Sequence, residues 1–138
     1  MDDRIEGGCL CGQVRYLVPS ESVYQLLCYC TDCQTVSGAA GYCAYGIATD
    51  RLEVTKGKPR AFDVQADSGR INSRRFCADC GTRLWAQLDE IGFASVNGMT
   101  LDDKEHFQPS SNHISSSAPS WCTINKSLDE FPLIPRES

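Results

Sequence analysis

Seven of the nine cysteines fall into three tight groups, and this pattern constrains the fold more than any other feature of the chain. Zinc prefers four soft or borderline ligands at the corners of a tetrahedron, and two thiolates one or two residues apart can clamp one ion. Glycines beside the ligands, at Gly8, Gly12 and Gly81, permit the tight turns that such clamps need. The groups are C-x-C (Cys9, Cys11), C-x-C-x-x-C (Cys28, Cys30, Cys33) and C-x-x-C (Cys77, Cys80).

Counting ligands predicts two zinc ions. The outer pairs, Cys9–Cys11 and Cys77–Cys80, together supply four thiolates and would close one structural site. The middle group, Cys28, Cys30 and Cys33, supplies three thiolates and would leave one coordination position open, as catalytic zinc sites do. Other divisions are possible, such as the first pair joining two cysteines of the middle group.

The middle group also has a structural alternative, in which a fourth protein ligand closes it. The candidates are His113, His106 and Cys43, with a packing role being the simpler interpretation of His113. Cys43 and Cys122 stand alone and are expected to be small buried hydrophobic residues. Trp121 is expected to pack in the core rather than line a pocket.

Composition limits the kinds of partner that the protein is expected to bind and the compartment in which it is expected. The net charge of -5 and the scattered basic residues argue against a nucleic-acid partner, and the cluster Arg70, Arg74 and Arg75 is expected to form a solvated face. No apolar run is long enough for a transmembrane helix, so no membrane partner is expected. The acidic start MDDRIEGG lacks the pattern of a secretory signal, which favours the cytoplasm, where cysteines stay reduced.

The pattern of short apolar segments and Gly/Pro/Asp turns predicts one mainly β, antiparallel domain over residues 1–138, with a core from about 7 to 121 and a tail over 122–138. Leu52–Lys56 and Ala61–Gln65 are predicted to form a hairpin around Gly57-Lys58-Pro59. Short helices are predicted at Thr31–Ser37, ended by Gly38, and at Leu101–Phe107, with a loop at Ser110–Ser120 and an extended segment over Phe131–Ser138. Further strands are predicted at Gln13–Val18, Ser22–Leu27, Tyr42–Thr49, Ile71–Phe76, Thr82–Gln87 and Gly92–Asn97.

The cysteine motifs carry a family resemblance. GGCLCGQVRY at 7–16, CYCTDC at 28–33, RFCADCGT at 75–82 and His113-Ile114 resemble the glutathione-dependent formaldehyde-activating enzyme family, whose domain also occurs in centromere protein V-like proteins. The resemblance implies a β-tent fold built from antiparallel sheets. It also implies the same division of ligands, with a structural zinc on the outer pairs and a second zinc on the middle group, where the substrate thiol would bind.

The activity that the resemblance implies is a carbon–sulfur lyase reaction, in which formaldehyde and glutathione combine to S-hydroxymethylglutathione. A zinc ion held by three thiolates is a weak Lewis acid for water but suits a soft fourth ligand such as the sulfur of glutathione or a related small thiol. Asp32, inside the middle group, is expected to cap the short helix rather than to hydrogen-bond the substrate. The competing hypotheses are a non-catalytic zinc-stabilised module that binds a protein or small thiol, and a thiol redox sensor. The sequence predicts no particular oligomeric state.

Overall fold

A computed structural model of the chain describes residues 3–65 and 69–131. Strands form where aromatic and branched side chains alternate with less buried ones, as in β2, where Tyr16 and Val18 are buried and Arg15 and Leu17 only partly so. The strands are β1 (Arg4–Gly8), β2 (Arg15–Pro19), β3 (Tyr24–Cys28), β4 (Tyr42–Ala48), β5 (Glu53–Lys56), β6 (Arg60–Gln65), β7 (Ile71–Phe76), β8 (Arg83–Leu88), β9 (Phe93–Asn97), β10 (Ser111–His113) and β11 (Asp129–Phe131).

The strands form two sheets. The smaller sheet has the order β1-β2-β5, and the larger has the order β11-β10-β3-β4-β9-β8-β7-β6. Neighbours pair antiparallel, except that β10 runs parallel to both β3 and β11. The prediction of a mainly β, largely antiparallel domain is confirmed, and the parallel edge at β10 is the departure from it.

The prediction that Leu52–Lys56 and Ala61–Gln65 form a hairpin is wrong. β5 pairs with β2 in the smaller sheet, whereas β6 pairs with β7 in the larger one. Gly57 adopts the left-handed conformation expected of a turn, with φ of 79°, but the turn carries the chain from one sheet to the other. A Cβ atom at Gly57 would lie 2.0 Å from the Gln13 carbonyl oxygen, so this crossing requires glycine.

The helices agree only in part with expectation. Helix α1 spans Thr31–Ser37 and ends at Gly38, as predicted. The helix predicted over Leu101–Phe107 is reduced to the 3₁₀ turn Lys104–His106, because the backbone of Leu101 is extended and pairs with Gly7. The remaining 3₁₀ turns are Thr49–Arg51, Gly98–Thr100 and Ser115–Ser117.

The C-terminal third contains two strands that were not predicted from its polar sequence. The segment Ser110–Ser120, predicted to be a loop, contributes β10, and the missed strand β11 pairs with it. The predicted extended segment begins at Phe131, which ends β11, and its remainder lies outside the described residues. At the other end, the missed strand β1 forms an edge of the smaller sheet.

The main core lies between the two sheets. Tyr16 of the smaller sheet meets Trp85 of the larger one edge to face, with ring centroids 6.0 Å apart. The buried Tyr45 hydroxyl donates to the Pro19 carbonyl at 2.8 Å and ties the sheets together. A second, smaller core of Cys33, Tyr42 and Ala44 involves helix α1. Within the described residues, no helix is long and apolar enough to cross a membrane.

Candidate metal centres

The outer cysteine pairs meet in space and form the first cluster, Cys9, Cys11, Cys77 and Cys80, whose sulfur atoms all lie within 4.8 Å of one another. The first pair follows β1 of the smaller sheet, and the second lies in the turn between β7 and β8 of the larger sheet. Two neighbouring sulfur pairs, Cys9–Cys11 and Cys11–Cys77, are 3.6 and 3.7 Å apart. A tetrahedron with Zn–S bonds of about 2.3 Å has edges of about 3.8 Å, so the cluster fits such an ion.

Backbone turns shape the first cluster. Gly12 and Gly81 follow the second cysteine of each pair and have φ of 79° and 78°, the left-handed conformation that glycine adopts without strain. Gly8, also predicted to ease a turn, instead allows close packing, because a Cβ there would lie 2.4 Å from the Val14 carbonyl oxygen. The Val14 amide donates to the Cys9 sulfur at 3.3 Å, a contact that orients and stabilises a thiolate.

Thr82 links the two halves of the first cluster. Its hydroxyl oxygen accepts from the Leu10 amide at 3.1 Å and lies 3.2 Å from the Cys80 sulfur. Hydrogen bonds from the Thr82 side chain and backbone lower the pKa of the Cys80 thiol to about 5. The surroundings of Cys80 therefore favour the thiolate, which is the form that binds a metal.

The middle group forms the second cluster, Cys28, Cys30 and Cys33, whose sulfurs also lie within 4.8 Å of one another. Cys28 ends β3, Cys30 precedes helix α1 and Cys33 lies in its first turn. The Cys30 sulfur accepts the Cys33 amide at 3.2 Å and is the N-cap of α1. The prediction that Asp32 caps this helix is therefore wrong, because a cysteine sulfur already occupies that role.

Crowding of the three thiols favours the binding of a cation between them. Hydrogen bonds from Cys28 and Cys33 lower the pKa of the Cys30 thiol to about 2. The contact with Cys30 raises the pKa of Cys28 to about 11, and the contacts with Cys28 and Cys30 raise that of Cys33 far above its usual value. One thiolate is thus solvated by two thiols, and a bound cation is what would let all three ionise together.

The structure brings no fourth ligand to the second cluster: among residues 3–65 and 69–131, no further Cys, His, Asp or Glu joins it. His113 is the register partner of Cys28, but its Nε2 lies 3.2 Å from the Ser111 hydroxyl. The His106 ring lies elsewhere, with Nε2 3.2 Å from the Ser20 carbonyl oxygen.

The isolated cysteines are also apart from the clusters. Cys43 is half-buried and packs against the main core, on the strand neighbouring Cys28 but one residue out of register with it. Burial raises the pKa of its thiol. Cys122 is only half-buried rather than enclosed. The expectation that Trp121 packs in the core is wrong, since the side chain is 77% exposed in the loop after the 3₁₀ turn Ser115–Ser117.

The arginines depart furthest from expectation. Arg74 is buried at 7% exposure rather than solvated, and Arg75 is half-buried with its Nε donating to the Ser73 hydroxyl at 2.9 Å. Together with Arg83 of β8 they line a cleft of about 180 Å³ beside helix α1, called the arginine cleft here. Its other walls include Val36, Tyr42, Trp85 and Ala86. Sequence analysis missed this cleft because burial of a charged strand residue depends on the neighbouring strands and helix.

These features define a class: a two-sheet β protein with one four-cysteine and one three-cysteine cluster, each able to hold a metal ion. The sequence model of the family described as "Glutathione-dependent formaldehyde-activating enzyme" matches residues 4–117. That span contains both clusters, and the chain belongs to this family.

Two individual proteins are similar to the chain. A Halomonas elongata protein named "Putative glutathione-dependent formaldehyde-activating enzyme" is 35% identical over 86 residues, which is 59% of this chain and 54% of the relative. The chain thus matches about half the length of that curated relative. The crystal structure of a Rhodobacter sphaeroides protein superposes with a TM-score of 0.58 at 21% identity, covering 72% of this chain and 89% of the other, and shows that the two share a fold.

Proposed function

We propose that the protein is a zinc-dependent, carbon–sulfur lyase-type enzyme acting on the adduct of glutathione, or a related thiol, with formaldehyde or another small aldehyde. The observation that carries this proposal is the second cluster, which groups three cysteine sulfurs without a fourth protein ligand among the described residues. Membership of the glutathione-dependent formaldehyde-activating family supports the choice of thiol and aldehyde.

Zinc is the proposed metal in both clusters because all the donors are thiolates and zinc binds such sets in tetrahedral sites. The first cluster, with ligands from both sheets, would hold a structural ion. Cys28, Cys30 and Cys33 would hold the second ion, with the Cys33 amide fixing the Cys30 sulfur. We expect the protein in the cytoplasm, where cysteines remain reduced.

Cys28, Cys30 and Cys33 would hold the zinc ion, which would favour the deprotonated form of a substrate thiol near neutral pH. The reaction forms one bond between the thiol sulfur and the carbonyl carbon, and the proton lost from sulfur ends on the former carbonyl oxygen. The reverse reaction breaks the same carbon–sulfur bond. The protein contributes by positioning: helix α1 fixes the cluster, and buried Tyr42, whose hydroxyl donates to the Ser95 carbonyl at 2.8 Å, forms a rigid wall behind Cys33.

The test combines metal content with exchange kinetics. We expect the purified protein to contain two zinc ions per chain, and the Cys30→Ser variant to contain one while keeping its circular dichroism spectrum. Exchange NMR of a mixture of formaldehyde, glutathione and S-hydroxymethylglutathione should show a rate above the uncatalysed one with the wild type. The same measurement on Cys30→Ser should return the uncatalysed rate.

Cys122→Ser is the matched control, since Cys122 belongs to neither cluster. It should retain two zinc ions and the wild-type exchange rate. A wild-type protein with two zinc ions that binds glutathione without accelerating exchange would instead be a binding module. Full zinc content and full thiol binding in Cys30→Ser would show that the second cluster is not the site at all.

A further inference from the structure

The arginine cleft adjoins the second cluster. Cys33 and Val36 lie three residues apart on helix α1 and therefore share one face of it. Tyr42 both packs against Cys33 and lines the cleft. A ligand whose sulfur occupies the second cluster would therefore extend one helical turn, about 5 Å, to reach the cleft.

Among the described residues no carboxylate forms an ion pair with Arg74, and its positive charge instead helps to lower the pKa of the Cys30 thiol. The Arg74 side chain is 7% exposed, and its Nε has no hydrogen-bond partner in the part of the chain that the structure describes. Its register partner is Ala86, whose small side chain leaves the space in front of β7 and β8 open. A buried guanidinium group without a partner costs free energy, because the water it has lost is not replaced by other acceptors. The unused donor is explained if an anionic ligand completes it.

The other two arginines reinforce this charge. The Arg75 Nε donates to the Ser73 hydroxyl, and the Arg83 guanidinium lies 5.0 Å from the centre of the Phe76 ring. No carboxylate within residues 3–65 and 69–131 forms an ion pair with any of the three guanidinium groups, the ion pairs there being made by Arg4 and Arg15. The cleft is therefore a local concentration of positive charge on a chain whose net charge is -5.

The size of the cleft limits the size of the ligand group that it can bind. Its empty volume of about 180 Å³ includes space open to solvent, and only a small part of it is enclosed by protein. A small planar group such as one carboxylate could approach the guanidinium groups only from the open side of the cleft. Arginine is the side chain that best matches a carboxylate, because its donors form a fork.

We propose that Arg74, supported by Arg75 and Arg83, is a carboxylate-binding subsite that makes the second cluster selective for acidic thiols. This inference rests on the proposed function, since it assumes that the thiol sulfur occupies the second cluster. It adds a specificity-determining residue and a ligand class: thiols that carry a carboxylate a few bonds from sulfur, among which glutathione and smaller mercapto acids share the same chemistry.

Calorimetric titration of the zinc-loaded protein tests the subsite with two thiols of the same shape. 3-Mercaptopropionate carries a carboxylate, and 3-mercaptopropionamide replaces it with a neutral amide. A hydrogen-bonded charge pair is worth about 1.5–3 kcal/mol, so the wild type should bind the acid at least about tenfold more tightly than the amide. Arg74→Met should bring the acid-to-amide ratio close to one, and Arg74→Lys should retain part of it.

Arg51→Met is the control, because Arg51 is exposed on a separate 3₁₀ turn, and it should preserve the wild-type ratio. Equal binding of acid and amide by the wild type would overturn the subsite while leaving the proposed thiol site intact. Failure of both thiols to bind would overturn the proposed function itself, and the subsite with it.

The competing role for Arg74 is that of a positive charge that only helps the second cluster to retain zinc. If Arg74→Met loses a zinc ion, Arg83→Met becomes the deciding variant, since Arg83 belongs to the cleft but to neither cluster. The subsite predicts that Arg83→Met keeps two zinc ions and lowers the acid-to-amide ratio. An unchanged ratio in that variant would overturn the proposal.

Discussion

Substitution of Cys77 by serine should destabilise the protein far more than substitution of Cys30. Cys77 is 1% exposed and belongs to a cluster whose members come from both sheets. Its sulfur lies 3.7 Å from that of Cys11, which is 66 residues away in sequence. A metal bound there would cross-link two distant parts of the chain, and serine oxygen is a poor substitute for thiolate at such a site.

The magnitude follows from loop-closure entropy. A cross-link that closes a loop of 66 residues removes about 4 kcal/mol of unfolded-chain entropy at 25 °C. The second cluster spans only residues 28–33, and closing so short a loop is worth about 2 kcal/mol. Because domains of this kind have about 5–15 kcal/mol in total, Cys77→Ser should remove a large share of the stability.

Urea unfolding followed by circular dichroism measures both values. We expect Cys77→Ser to lower the free energy of unfolding by about 4 kcal/mol, which is a fall in Tm of roughly 10–15 °C, and Cys30→Ser by about half as much. Chelator, which would remove metal from both clusters, should destabilise the wild type by at least the larger of the two losses, and Cys122→Ser should leave the free energy of unfolding and Tm unchanged. Equal losses for Cys77→Ser and Cys30→Ser, or no effect of chelator, would refute the cross-link argument.

Three further substitutions test the fold around the clusters by urea unfolding. Gly81→Ala should cost about 1–2 kcal/mol, because φ of 78° is unfavourable for alanine although a Cβ there meets no atom within 4 Å; a cost near zero would contradict the required turn. Gly46→Ala should cost about 1–3 kcal/mol, because its Cβ would lie 2.2 Å from the Tyr24 ring, and adding Tyr24→Ala should relieve part of that cost rather than add to it. The Arg15 guanidinium holds the pKa of Asp102 below its usual value, so the ion pair stabilises the folded protein above about pH 4 and loses that contribution as the pH falls. Asp102→Asn should therefore lower the free energy of unfolding by at most about 1 kcal/mol at pH 7. A loss that persists at pH 2 would contradict this linkage.

The cysteine arrangement was the most predictable part of the molecule. A C-x-C or C-x-x-C pair needs only one local turn, so its members remain together in any fold, and ligand counting then favours joining the outer pairs. The structure places Cys9 and Cys11 beside Cys77 and Cys80 as that count suggests. Ligation by zinc stays a prediction, because sulfur positions alone do not specify the ion.

What could not be predicted depends on contacts between distant segments. The turn at Gly57 has the sequence of a hairpin, yet β5 and β6 belong to different sheets, because each finds its partner elsewhere in the chain. Arg74 lies in a strand that reads as polar, and its burial follows from its neighbours on β8 and α1 rather than from its own segment. Trp121 shows the converse, an aromatic side chain left exposed because its loop is not covered within the described residues.

The difference in how the two clusters are built argues for different roles. The first cluster joins the end of β1 in one sheet to the β7–β8 turn in the other, so removing its metal would loosen the contact between the sheets. All three members of the second cluster come from one segment, in which the Cys30 sulfur already caps helix α1 through the Cys33 amide. That segment is locally ordered by its own hydrogen bonds, and a metal there adds little to the packing of the sheets. An arrangement of three crowded thiols that contributes only about half as much to stability as the first cluster is better explained by ligand binding. Its position beside Arg74 places the thiol end of the proposed ligand at the second cluster and the carboxylate end at the arginine cleft.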